Sequence, residues 1–193
     1  MVAITDLPPL AQPADVEAFT KGKLKADDLR VTRALAAVSR SIRRRAGWHI
    51  FPVVNAHTLV LDGPGGTVLS LPTLKLVNLV ALTEAGTVLD PLVDVDVSRE
   101  TGLVKKVDGS LWTTRYGQVV ATMDHGEEEV PELADLTVRL AARGLASPMG
   151  ATREQAGALS VNWSMTTQGV AAGITPAADE RALMDSYRLT GWR

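Results

Sequence analysis

The sequence has little of several residue types that commonly carry chemistry. Its 193 residues include no cysteine, three histidines, two phenylalanines and two tyrosines. The lack of cysteine excludes disulfides, thiolate metal sites and cysteine nucleophiles. No stretch approaches the roughly 20 apolar residues that span a bilayer, and residues 1–6 do not resemble a signal peptide. A formal net charge of −2 gives no overall attraction to nucleic acid. We therefore expect a protein made in a reducing cytoplasm and not bound to membrane.

Near the N-terminus, up to about residue 46, apolar residues recur at the spacing typical of helices. Pro13 can open a short helix over residues 14–20, and acids at 27 and 28 start a longer one that runs to about Ala46. The longer helix carries its apolar residues at helical spacing on one face, namely Val31, Leu35, Val38 and Ile42.

Between residues 48 and 123 the period changes to that of strands. Short apolar runs alternate with turns rich in glycine and proline, such as residues 62–66, and residues 93–97 alternate cleanly between apolar and acidic. About six short strands at even spacing indicate a small antiparallel sheet or barrel.

The helical period returns at Pro131 and ends near Gly144 or at 147–148, and residues 178–187 can form a last short helix. The predicted fold class is therefore α+β: a small helical bundle with an inserted antiparallel β domain and an extended C-terminal tail. The predicted domains are the N-terminal arm and helices (1–47), the β-rich insertion (48–123), the continued bundle (124–147) and the tail (148–193).

One acidic stretch, ATMDHGEEEVPEL at residues 121–133, raises the question of an active site. His125 lies beside Asp124 and ahead of Glu127, Glu128 and Glu129, and both residue types bind divalent metals, so a metal-dependent hydrolase is one alternative. However, consecutive glutamates point in different directions. The favoured interpretation is a junction, in which acids precede the positive N-terminus of the helix that starts at Pro131.

Other catalytic patterns are lacking. The sequence has no Gly-x-Ser-x-Gly elbow, and its glycine-rich stretches lack the lysine and hydroxyl of a phosphate loop. The three histidines are scattered along the chain and form no visible triad. We therefore predict no catalytic residue, no metal and no cofactor.

The long N-terminal helix presents arginines opposite its apolar face. Arg33, Arg40 and Arg44 point outward, and with Arg43 and Arg45 they could contact DNA phosphates as a DNA-binding accessory protein would. Two alternatives are a solvated face and an acidic neighbour. The acidic neighbour is favoured, with the 124–135 segment of another copy as the candidate.

The C-terminal tail carries large aromatic side chains without an evident core of its own. Such residues in an exposed segment are typical of partner docking. The candidate interface residues of the tail are Trp163, Tyr187, Arg188 and Trp192.

An ordered set of short motifs resembles the head-to-tail adaptor (head–tail connector) proteins of tailed bacteriophages, especially the siphovirus type of actinobacterial hosts. The set covers almost the whole chain, and its specificity comes from the order of the pieces. The matching pieces are TDLPPL (5–10), GWHI (47–50), LDGPGG (61–66), GTVLD (86–90), LW (111–112) before Tyr116, HG (125–126), VP (130–131), LAAR (140–143), REQAG (153–157), SV (160–161) and YR (187–188).

The resemblance implies a structural role in the virion neck. Members of this family form a ring, usually of twelve copies, between the portal protein and the stopper or tail, and the ring extends the DNA channel. Genomic DNA would pass through without sequence-specific binding. One departure is Glu127, where members often carry an aromatic residue just after the His-Gly pair. This departure concerns a contact of that aromatic residue and leaves the implied fold unchanged.

Overall fold

The computed structural model describes residues 7–146 and 176–189, and between them the backbone of four short strands at 153–156, 159–162, 165–167 and 170–171. The chain divides into two compact units. The helical unit comprises Pro8–Arg45 and Val130–Ser186, and the β unit is built on Ala46–Glu129 with residues 187–189. The fold is mixed α+β, which confirms the predicted class.

The helices begin and end close to the predicted positions. Pro13 and Pro131 each occupy the first residue of a helix, where a missing N–H costs nothing. Gly47, with a φ of +84°, follows the end of the longest helix in the left-handed conformation that glycine adopts readily. The helices are α1 (Pro13–Phe19), α2 (Leu29–Ala46), α3 (Pro131–Ala146) and α4 (Ala178–Ser186).

Apolar faces of the helices form the core of the helical unit. Both α1 and α4 pack against α3, and they contribute the buried side chains of Val16 and Met184. Full burial of each large aliphatic side chain stabilises the fold by about 1.5–3 kcal/mol. The predicted apolar faces of the long helices are buried throughout, at Val31, Leu35, Val38 and Ile42 of α2 and at Leu133, Leu136, Leu140 and Ala141 of α3.

Polar contacts join distant segments of the helical unit. Arg143 on α3 forms two hydrogen bonds of 2.6 and 3.1 Å with the buried carboxylate of Glu180 on α4. Burial acts to raise the pKa of Glu180, but hydrogen bonds from Arg143 and from the N–H of Ala177 outweigh it, and the pKa lies below its ordinary value. At the N-terminus, the N–H of Leu10 donates to Ser39 Oγ at 2.9 Å. These contacts fix α4 and the N-terminal lead within the unit.

Seven strands of the β unit form two antiparallel sheets. The four-stranded sheet has the order β1-β7-β3-β4, so the last strand in sequence lies between the first and the third. The three-stranded sheet has the order β2-β6-β5. The strands are β1 (Val54–Leu61), β2 (Val68–Ser70), β3 (Leu76–Glu84), β4 (Thr87–Leu89), β5 (Val95–Val97), β6 (Leu103–Lys106) and β7 (Val119–His125).

Trp112 is the largest side chain in the core of the β unit and is 2% exposed. Leucines and valines of both sheets surround it, among them Leu82 and Val104. The ammonium of Lys106 lies 4.9 Å from the centre of the Trp112 ring and forms an ion pair with Glu84. A cation over the face of an indole ring is attracted by the quadrupole of the ring. Glu84 balances the charge of this lysine.

Some of the predicted β structure needs correction. The segment 87–89 was assigned to no strand, yet it is β4, paired with β3 across the turn at Ala85 and Gly86. β7 extends to His125, two residues beyond the predicted end. In the 148–193 segment, for which an extended tail was predicted, the backbone pairs β8 (Arg153–Ala156) with β9 (Leu159–Asn162) and β10 (Met165–Thr167) with β11 (Val170–Ala171).

Among the described residues, none of the helices has the length and apolar character that crossing a membrane requires.

Candidate functional site

The acidic stretch of the sequence forms a junction that closes the end of the four-stranded sheet. The N–H of Gly126 donates to Lys75 O at 2.9 Å, and the N–H of Glu127 donates to Ile50 O at 2.7 Å. Gly126 has a φ of +122°, and a Cβ there would lie 2.5 Å from Pro52 O. Only glycine fits this close approach of two backbones without strain.

Asp124 has a structural role beside this junction. Its Oδ1 accepts a hydrogen bond of 2.7 Å from the N–H of Ala56, which lies in an irregular part of β1 with a φ of +49°. The register between β1 and β7 shifts at this point. Asp124 therefore satisfies a backbone donor that the disrupted strand pairing leaves free.

The three histidines, predicted to be scattered, lie together in the β unit, which corrects the prediction. His57 Nδ1 lies 2.9 Å from His125 Nε2, and their rings stack with centroids 5.2 Å apart. The ring of His49 meets that of His125 edge-on at 4.3 Å, and His49 Nε2 donates to Pro52 O at 2.8 Å. Pairing of β1 with β7 places His57 near His125, and no local sequence signal specifies this register.

Burial disfavours the charged form of two of these histidines, His125 and His57. Burial, together with the smaller effects of the nearby His49 and His57, lowers the pKa of His125 to about 3. Burial also lowers the pKa of His57. Within the described residues, His125 Nδ1 has no hydrogen-bond partner. A single shared proton between His57 and His125 is compatible with a hydrogen bond, whereas two charged rings at 2.9 Å would repel each other.

The geometry does not support the alternative of a metal site at His125. Its ring contacts the rings of His49 and His57. In the part of the chain that the structure describes, no group of three or more histidine, aspartate or glutamate side chains has the arrangement to hold a metal ion.

The arginines of α2 divide into two groups. Arg43 is buried and donates to Pro8 O at 2.8 Å, and Arg45 forms two hydrogen bonds of 2.7 Å with Asp185 on α4. Arg43 is therefore not accessible to a nucleic acid, whereas Arg45 is exposed and already paired with Asp185.

Arg33, Arg40 and Arg44 form the outward group, and all three are exposed. Within the described ranges none of them has an ion pair or a side-chain hydrogen bond. Their spacing of seven and four residues places them along one stripe of α2. We call this stripe the arginine face.

The acidic residues after the junction are also accessible. Glu127 is partly buried, whereas Glu128 and Glu129 are exposed and have no ion pair among the described residues. This pair of exposed glutamates is the part of the acidic stretch that remains available to a partner.

The predicted tail contacts are only partly placed by the structure. Tyr187 is partly buried, and its carbonyl accepts a hydrogen bond of 2.8 Å from Trp48 Nε1. Arg188 is exposed. Trp163 and Trp192 lie outside the described residues.

Comparisons with known proteins relate this fold to one class of particle. No protein-family model matches the chain, and no curated protein does. One similar chain comes from the solved structure of the neck of a native gene transfer agent (GTA) particle, computed with C12 symmetry. The alignment covers 100% of the present chain and 95% of the neck chain, with a TM-score of 0.55 and 16% sequence identity. The neck of an empty GTA particle, computed with C6 symmetry, matches 100% and 94%, with a TM-score of 0.54 and 17% identity. The chain thus has the fold of a neck protein of these phage-like particles over its full length.

Proposed function

We propose that this chain is a head-to-tail adaptor, a structural virion protein that forms a ring between the portal and the stopper or tail and extends the DNA channel. The observation that carries the proposal is the full-length similarity of its fold to chains in the necks of GTA particles. The ordered motifs of the sequence point to the same class independently. This role needs no catalytic residue and no cofactor.

The C12 symmetry of the native GTA neck supports a ring of twelve copies, and we propose the portal and a stopper or other tail protein as its partners. In a head-to-tail ring, one face of each copy meets a different face of the next copy. Complementary charge on the two faces fixes orientation and suppresses wrong pairings. The arginine face and the exposed Glu128 and Glu129 are a matched pair of this kind, and we propose that they meet between neighbouring copies.

Cryo-electron microscopy of particles that carry this chain tests the proposal directly. The expected result is a ring of twelve copies between the portal and the next neck ring. A position elsewhere in the particle, or the absence of the chain from mature particles, would contradict the adaptor role. The same map would show whether Trp163, Tyr187, Arg188 and Trp192 contact the portal or the stopper.

A charge-reversal variant tests the subunit contact. Arg40→Glu with Arg44→Glu should block ring assembly, because two copies would then present like charges to each other. The matched control reverses Arg99 and Arg115, two exposed arginines of the β unit. Normal particles from the first variant would refute the contact between the arginine face and an acidic neighbour.

A second candidate function is DNA binding through the arginine face, which the unpaired state of these side chains favours. Neutralising phosphates releases counterions, so such binding would weaken steeply as salt rises. Salt-sensitive binding of the isolated protein to a DNA duplex, lost in the Arg40→Glu/Arg44→Glu variant and kept in the control, would support this function instead.

A further inference from the structure

The β unit displays one leucine almost fully to solvent. Leu92 is 90% exposed, more than any other large apolar side chain that the structure describes. An apolar side chain in this position contributes nothing to the core of its own unit. A single exposed leucine is common on protein surfaces, so its significance depends on how the backbone holds it.

The turn that carries Leu92 is held by hydrogen bonds on both sides. The N–H of Leu92 donates to Asp90 Oδ1 at 2.9 Å, and the N–H of Asp90 donates to Asp94 Oδ2 at 2.8 Å. The N–H groups of Val93 and Asp94 donate to Asp90 O, and the N–H of Val107 donates to Asp94 O at 3.0 Å. We call residues 90–94 the leucine turn. A side chain presented on a fixed backbone loses little conformational freedom when it docks.

The helical unit contains a groove of about 740 Å³ between the end of α1, the turn after it and the last turns of α3. Phe19, Leu24 and Ala146 provide apolar walls, and Phe19 is 52% exposed. Lys21 and Lys23 lie at its edge. None of the described residues that line the groove is acidic. We call it the cationic groove.

The two lysines carry charge that the described part of the fold does not neutralise. Both are exposed and have no ion pair among the described residues, whereas the groove's Arg139 and Arg143 are paired with Asp135 and Glu180. Lys21 also has a φ of +53°, a left-handed conformation usually occupied by glycine or asparagine after a helix. A lysine therefore occupies a position where the backbone conformation favours another residue.

We propose that, in the ring, Leu92 of one copy inserts into the cationic groove of the next copy, with Asp90 and Asp94 facing Lys21 and Lys23. The inference rests on the proposed function, because a ring brings unlike surfaces of identical chains together.

The chemistry of the leucine turn matches that of the groove, which favours a second copy of the chain as the occupant. The leucine turn joins one apolar side chain to two carboxylates, and the groove joins apolar walls to two unpaired ammonium groups. Every copy carries both surfaces, so the contact can repeat around a ring and leave neither surface unused.

Crosslinking tests this contact cleanly, because the chain has no cysteine of its own. The full-length double variant Leu92→Cys/Ala146→Cys is treated with a short bismaleimide and separated on a denaturing gel. Both positions are exposed, so the substitutions should not disturb folding. The expected result is a ladder of multiples of the chain, which a single-cysteine variant cannot form.

A second double-cysteine variant is the control for crosslinks that form by random collision. Tyr116→Cys/Ala146→Cys places the second cysteine at a residue that is 84% exposed in the same β unit. It should give no ladder under the same conditions. A ladder of equal yield from this pair, or no ladder from the Leu92 pair, would overturn the inference.

Charge reversal at the groove gives an independent readout. Adding Lys21→Glu and Lys23→Glu to the Leu92 pair should lower the ladder yield by about tenfold or more, because carboxylates would then face carboxylates. Adding Arg99→Glu and Arg115→Glu should leave the yield within about twofold. An equal loss of ladder yield in both variants would show that the charges of Lys21 and Lys23 do not contribute specifically to the contact.

The assembly state of the wild-type chain, measured by sedimentation and electron microscopy, separates the two proposals. Rings without the ladder would refute this contact and leave the adaptor role intact. Rings with a ladder that extends to twelve copies would support both. Neither rings nor ladder would overturn the contact and count against the ring as well.

Discussion

The helical unit and the β unit handle charge and apolar surface in opposite ways. In the helical unit, apolar faces are buried along α2 and α3, and the exposed side chains without an ion pair among the described residues include the cations Arg40 and Lys21. In the β unit, the buried polar side chains are those of His49, Thr73 and His125, and the surface exposes large apolar side chains, Leu92 and Tyr116 most of all. The two units therefore expose different chemistry, which suits the contacts between unlike surfaces of neighbouring copies proposed above.

We expect the largest loss of stability when the tryptophan at the centre of the β core is removed. Trp112→Ala should lower the unfolding free energy of the β unit by about 3–5 kcal/mol, because it leaves a large cavity among leucines and valines. Urea unfolding followed by circular dichroism measures the change. The control Tyr116→Ala removes an aromatic side chain that is 84% exposed, and should change the free energy by less than about 0.5 kcal/mol. Equal effects would show that the Trp112 cluster does not act as a core.

The corresponding test in the helical unit is its buried ion pair. Arg143→Met should destabilise the unit by about 2–3 kcal/mol, since it leaves the carboxylate of Glu180 buried without its cation. The estimate is below that for a fully buried pair because the Arg143 side chain is 24% exposed. Urea unfolding of the variant measures the loss.

Two controls sharpen this prediction. In Arg143→Met/Glu180→Leu, both charges are gone, and much of the stability should return, because no unpaired charge remains buried. Arg30→Ala removes an exposed ion pair with Asp28 and should leave the stability nearly unchanged, because solvent screens this pair. A double variant as unstable as the single one would show that packing of Arg143, rather than its charge, stabilises the unit.

The neutral histidines predict a pH dependence specific to the β unit. The pKa of His125 in the folded protein is about 3, against 6.5 in an unfolded chain, so the unfolded state binds the extra proton between these values. The stability that neutral His125 contributes is complete above pH 6.5 and is lost as the pH falls. The unfolding free energy then changes with pH by up to about 1.4 kcal/mol per pH unit for one proton. His57, whose pKa is also lowered, adds to this slope.

Urea unfolding between pH 4.5 and 6.5 measures this slope, because most carboxylates titrate below that window. His125→Gln keeps a neutral polar side chain and removes one titrating group, so its slope should fall by about one proton relative to the wild type. The wild-type and Gln curves should therefore converge as the pH falls. An unchanged slope would mean that His125 does not titrate on unfolding.

The sequence predicts the helical unit well because its signals are local. Apolar residues at helical spacing place the buried faces of α2 and α3, and Pro131 marks a helix start. The exception is Arg43, whose acceptor Pro8 O lies 35 residues away and has no local signature.

The β unit is less predictable because its geometry depends on pairing between distant strands. β4 is only three residues long, too short for a periodic signal. The cluster of His49, His57 and His125 exists only because β1 pairs with β7 in one register, with an irregularity near Ala56. The candidate surfaces follow the same rule. The arginine face was predicted from helical spacing, whereas the cationic groove combines segments that are more than 100 residues apart.

The smallest expected effect on stability belongs to the arginine face, and it separates structure from assembly. Arg40→Glu/Arg44→Glu should change the unfolding free energy by less than about 0.5 kcal/mol, because both side chains are exposed and unpaired within the described residues. The same variant should fail to assemble, while Arg99→Glu/Arg115→Glu assembles normally. A loss of several kcal/mol would instead give the arginines a role inside their own unit. Unchanged stability with lost assembly would locate their partner on another molecule, as the contrast between the two units predicts.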